Sequence, residues 1–88
     1  MRVVIDSSVV VAALATPNPE SASRVVLAAV AAGAVPADPG DDKVVAAALA
    51  GRAAFVVTLD RHLLEVGGLT GVSVLRPGDF LRELRATH

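Results

Sequence analysis

At 88 residues the chain has room for one small domain and excludes two independent cores. Eight basic against nine acidic residues leave a net charge of −1, so no global field gathers nucleic acid, and two phenylalanines are too few for general base stacking. Cysteine is absent and histidine occurs twice, which excludes disulfides, thiolate metal sites and a histidine-built zinc site; any metal must be held by oxygen.

Ala and Val make up 33 of the 47 hydrophobic residues, so the core is thin and a homo-oligomer is expected to complete its burial. The longest apolar run, 25–35, holds 11 residues, short of the roughly 20 that span a bilayer. Asp6 also interrupts the N-terminal segment where a signal sequence needs apolar residues, so the expectation is a cytoplasmic protein without a membrane partner.

In chain order, residues 2–5 are a continuous β-branched run, the pattern of a strand buried on both faces of a parallel sheet, and it ends at Asp6. Ser7 and Ser8 lead into a short helix over 9–14. After the breaker at 16–19, Asn18 is placed to cap a second helix with Pro19 at its first position and Glu20 in its first turn. Apolar residues recur at three- and four-residue spacing through Val30, and Gly33 supplies the stop. Residues 34–40 contain two prolines and a glycine and read as an irregular connection, with a brief extended piece at 34–35. Asp38, Asp41 and Asp42 then precede a third helix over 43–50, closed by Gly51.

Residues 54–58 form a second buried strand, followed by Asp60 and a short helix over 62–66 that Gly67-Gly68 breaks. A further strand covers 72–75, and Pro77 opens an amphipathic helix with Phe80, Leu81 and Leu84 on one side. The alternation predicts a single α/β domain over 1–88 with a short parallel sheet between helices.

Ligand sites of open α/β sheets lie beyond the carboxyl ends of the strands, where Asp6 and Asp60 both fall. If the helix that Asp42 opens starts at the same edge, three carboxylates converge. Like charges brought together raise one another's pKa or recruit a cation, and oxygen ligands suit Mg²⁺ or Mn²⁺. Metal-assisted phosphodiester hydrolysis is the chemistry such a cluster serves.

Val3-Val4-Ile5-Asp6-Ser7-Ser8-Val9, then Asp38-Pro39-Gly40-Asp41-Asp42-Lys43-Val44, then Val57-Thr58-Leu59-Asp60 resemble a PIN domain, in the branch of toxin components of toxin–antitoxin systems. The tail from Gly71 to Leu81 is similar to that branch's final strand and helix. The resemblance implies a small three-layer α/β/α domain and a Mg²⁺- or Mn²⁺-dependent ribonuclease, with an antitoxin protein as a possible partner. It implies Asp6, Asp42 and Asp60 as catalytic metal ligands, with Ser8 and Thr58 orienting them. The chain departs from the family by lacking a central stretch of helices and a strand between Gly33 and Asp38, together with the family's Glu. Glu20 does not match that position, and His62 stands where the branch often has another acid.

Each acid also has a plain role, since Asp is favoured at helix starts irrespective of catalysis. Asp6 ends a wholly apolar strand, which favours a site; Asp60 shares its edge; Asp42 is chosen from its neighbours by motif match alone. Arg52, Arg61 and Arg76 are more simply solvated or ion-paired than phosphate contacts, so the sequence assigns no nucleic-acid-binding residues. His62 and His88 read as plain polar residues. The alternative function is a non-catalytic remnant of the family that dimerises or binds a partner. Phosphoryl transfer on Asp6 ranks last, because no second acid stands two residues later.

Overall fold

The computed structural model describes residues 3–33, 37–40, 42–49, 54–70 and 72–87, of which 37–40, 42–44, 68–70 and 87 are described by their backbone alone. The elements are β1 (Val3–Asp6), α1 (Ser7–Ala15), α2 (Ala22–Ala31), β2 (Ala37–Gly40), α3 (Asp42–Ala47), β3 (Phe55–Val57), α4 (Arg61–Thr70), β4 (Ser73–Leu75) and α5 (Pro77–Thr87). The four strands form one parallel sheet in the order β2-β1-β3-β4. Val3 pairs with Ala37 on one side and Phe55 on the other, and Asp6 pairs with Gly40. The domain is therefore a mixed α/β fold, as its alternating pattern predicts.

Every residue of β1 is buried, and alternation along it supplies two cores. Val3 and Ile5 face Val9 of α1, Val26 of α2, Val57 of β3 and Phe80 of α5. Val4 faces the other way, onto Val45 of α3, Ala48, Val56 of β3 and Val72. Phe80, the largest fully buried side chain, meets Phe55 edge to face with ring centroids 5.8 Å apart. Among the described residues no helix is long and apolar enough to cross a membrane.

Four expectations from the sequence are corrected. The segment 34–40 is not all irregular, because Ala37–Gly40 pairs with β1 as β2. It lies at the sheet edge, where Pro39 can leave a ladder donor out without orphaning an inner neighbour. The first helix starts at Ser7 rather than Val9, because Asp6 caps it. The second starts at Ala22, capped by Ser21, whose Oγ accepts from Arg24 N at 3.3 Å. Asn18 instead closes the turn before it, accepting from Glu20 N at 3.0 Å on Oδ1 and from Ser21 N on its carbonyl. Gly33 does supply the stop, with φ of 77° and its N–H on Val30 O.

The fourth correction is α4, which continues through Gly67-Gly68 to Thr70. Gly67 is buried against β4, and a Cβ there would fall inside the van der Waals shell of the Val74 side chain. The missing side chain sets how closely α4 approaches the sheet. Gly67→Ala gains helix propensity of about 1 kcal/mol, yet overpacking against Val74 outweighs it. The variant is expected to lose about 1–2 kcal/mol in urea unfolding; a gain in stability would show that α4 does not pack this closely. Arg2, Asp41, Gly51, Arg52 and His88, and the extended piece at 34–35, lie outside the described residues.

Candidate functional site

The chain runs from β1 to one neighbour, β2, and then crosses to the other, β3. Connections thus leave β1 and β3 in opposite directions, which opens a crevice beyond their carboxyl ends at the topological switch point of the sheet. Asp6 ends β1 and Thr58 follows β3, so both stand at that crevice. Thr58 N also donates to Leu75 O at 2.9 Å, extending the ladder to β4 and fixing the segment's height.

Asp6 is 4% exposed and Thr58 is fully buried. The Asp6 carboxylate accepts on Oδ2 from Ser8 Oγ at 2.6 Å, from Thr58 Oγ1 at 2.9 Å and, more loosely, from Ser8 N at 3.4 Å. Each hydroxyl has a single proton, and each gives it to Asp6. The hydroxyls therefore face one another at 3.3 Å as neighbours rather than as donor and acceptor. Their lone pairs are used in turn: Ser8 Oγ accepts from Leu59 N and Thr58 Oγ1 from Asp60 N, both at 3.0 Å. The first turn of α1 and the segment after β3 are thereby tied to one carboxylate oxygen. Oδ1 stands outside this set of bonds.

Asp60 is exposed and caps α4, accepting from His62 N on Oδ1 at 2.8 Å while its carbonyl accepts from Leu64 N at 3.1 Å. Both acids thus perform the capping role considered from sequence, each with one carboxylate oxygen. Asp42 is the first residue of α3, two positions beyond Gly40, the partner of Asp6. The backbone accordingly brings positions 6, 42 and 60 to the same sheet edge, with Asp6 on an inner strand between the other two. The side chain of Asp42 is not among those described. Among the described residues no group of three His, Cys, Asp or Glu is gathered as a metal site.

His62 lies exposed in the first turn of α4. The Leu59 N–H bond to Ser8 had no signal in the sequence, because a backbone donor carries none. No protein-family model, curated protein or solved structure matches this chain.

Proposed function

We propose that this chain is a PIN-like, Mg²⁺- or Mn²⁺-dependent ribonuclease, the toxin component of a toxin–antitoxin pair. One observation carries the reading: a buried aspartate at the switch point of a parallel sheet, held through a single oxygen by two hydroxyls. Fixing Oδ2 orients the carboxylate and directs its other oxygen away from the clamp, as outer-shell donors do for metal-ligating carboxylates. Asp60 follows the same division, with Oδ1 committed to His62 N.

Hard oxygen donors at one edge fit Mg²⁺ or Mn²⁺, and Asp6, Asp42 and Asp60 are the residues that would hold the ion. The chemistry a divalent ion supplies at such a site is activation of water and neutralisation of charge on the leaving oxygen. Ser8 and Thr58 keep Asp6 in one orientation, and the Leu59 and Asp60 N–H groups keep those hydroxyls in theirs. Mg²⁺ retains several waters and needs only one or two protein carboxylates, so holding one ion does not require the family's absent Glu.

The test is Mn²⁺-dependent cleavage of mixed RNA by the purified protein beside Asp60→Asn. Asn caps helices as well as Asp, so α4 stays intact and the folding free energy changes by only about a few tenths of a kcal/mol. Wild-type cleavage that needs metal, with Asp60→Asn at background, is expected. No cleavage, or equal cleavage by both, favours the second reading, a dimerising or partner-binding remnant. That reading draws on α1, where Val11 and Leu14 are 64% and 82% exposed. Leu14 there lines an apolar groove with Leu27 and Ala28 of α2.

A further inference from the structure

The first turns of α2 and α5 meet beside the Asp6 edge. A Cβ added to Gly78 would lie 3.9 Å from the Ala22 Cβ, so no side chain stands between the two turns. Together with Ala12 of α1 and Leu59 they border a cavity of about 600 Å³, within the range of small-ligand sites. Leu59 is the residue whose N–H holds Ser8 on Asp6, so one residue is shared by the cavity wall and the carboxylate network.

Helix starts leave N–H groups without intrahelical acceptors, and each carries about half a positive charge. Ala22 and Ser23 hold those places in α2, Gly78 and Asp79 in α5. Ser23 supplies an independent observation. It is 8% exposed and lines the cavity, and its hydroxyl has no hydrogen-bond partner among the described residues. No sealed side-chain atom among them lacks a partner, so this hydroxyl is reached from the cavity. The neighbouring hydroxyls are already engaged, Thr16 Oγ1 by Asn18 N and Ser21 Oγ by Arg24 N. Arg76 adds an exposed guanidinium to the lining. The Asp79 carboxylate also borders the space and is ion-paired with Arg82 on the exposed face of α5.

We propose that this cavity binds a phosphate group, and that the group belongs to the nucleic-acid strand presented to the Asp6 edge. The anion chemistry stands on the cavity itself, whereas the assignment to a nucleic-acid strand rests on the ribonuclease reading. The two converging helix starts, the Ser23 hydroxyl and the Arg76 guanidinium are donors of the kind a phosphate monoester or diester satisfies, with the Asp79 carboxylate as the one acid among the described residues of the lining. The apolar walls, Ala12, Ala22 and Leu59, leave room for the attached ribose or base.

Amide NMR of the full chain in EDTA, titrated with inorganic phosphate and then with an RNA dinucleotide, tests the site without metal. Saturable shifts at Ala22, Ser23, Gly78 and Asp79 are expected, with phosphate affinity about tenfold weaker in Arg76→Gln and several-fold weaker in Ser23→Ala. Ser23→Ala keeps a dispersed spectrum, since it removes one unpartnered oxygen. No saturable change at the four amides, or unaltered affinity in both variants, overturns the site. Phosphate binding that the dinucleotide does not displace overturns the assignment to a strand. Phosphate binding by a protein that cleaves no RNA overturns the ribonuclease reading and the strand assignment that rests on it but leaves the anion site standing, and cleavage without phosphate binding overturns this site alone.

Discussion

Phe80→Ala removes most of the protein's folding free energy, the largest stability effect expected of any single substitution here. Phe80 is fully buried and is the bulkiest member of the core on its face of the sheet, whose other buried members are Val and Ile. It belongs to one core with residues of β1, α1, α2 and β3 and meets Phe55 edge to face. Truncating such a residue costs about 3–5 kcal/mol through lost transfer energy and the cavity left behind. A small domain has about 5–15 kcal/mol in total, and a core built from Val and Ala places this one at the low end. Urea unfolding followed by circular dichroism should show Phe80→Ala with little or no folded baseline, and Phe80→Leu with a folded baseline and a midpoint between the two. A midpoint for Phe80→Ala equal to wild type would mean that α5 does not seal this core.

The strands that the sequence discloses are those whose order is written locally. β1 up to Asp6 and all of β3 are runs of Val, Ile and Phe, β4 is Ser-Val-Leu, and both faces of β1 are covered as such a run implies. β2 is Ala-Asp-Pro-Gly, with no strand former at all; it is a strand because β1 has a free ladder beside it and because an edge tolerates proline. The same contrast holds for α4. A Gly-Gly pair signals a break, but at Gly67 the absence of a side chain is what admits Val74, and that demand comes from β4. The start of α2 misled for a different reason: Asn18 and Ser21 are both good caps, and the turn took one while the helix took the other.

The candidate site divides likewise. Strand-end acids are readable because an apolar run stops at a carboxylate, which places Asp6 without any tertiary knowledge. The contact between Thr58 and Asp6 spans 52 positions and depends on β1 and β3 being neighbours in parallel register. The cavity at Ser23 was beyond reach for the same cause, since nothing in the local sequence says that the first turns of α2 and α5 meet. Its hydroxyl looks ordinary until the helix that buries it is in place.

The clamp on Asp6 makes the second large prediction. Thr58→Val keeps the volume and branching of a fully buried side chain and removes only the hydroxyl. Asp6 Oδ2 then loses a 2.9 Å donor and keeps only Ser8, while the Asp60 N–H loses its acceptor, so one atom loosens the backbone at Asp60 as well as the Asp6 carboxylate. The cost to stability is about 1–3 kcal/mol, the price of unpaired groups in a buried place. Under the ribonuclease reading, Mn²⁺-dependent cleavage falls by about 10–100-fold, the usual loss when a donor behind a metal ligand is removed, and the half-saturating Mn²⁺ concentration rises. Asp6→Asn, which replaces a proposed ligand itself, reduces cleavage to background. Thr58→Ser separates positioning from packing. It restores the hydroxyl but leaves a methyl-sized void, so it should remain about 1 kcal/mol less stable than wild type while recovering most of the cleavage and the wild-type Mn²⁺ requirement. If Thr58→Ser were as impaired in cleavage as Thr58→Val, Thr58 would act through packing and not through its bond to Asp6. If Thr58→Val cleaved RNA like wild type at the same Mn²⁺ concentration, the orientation of Asp6 would have no part in the reaction.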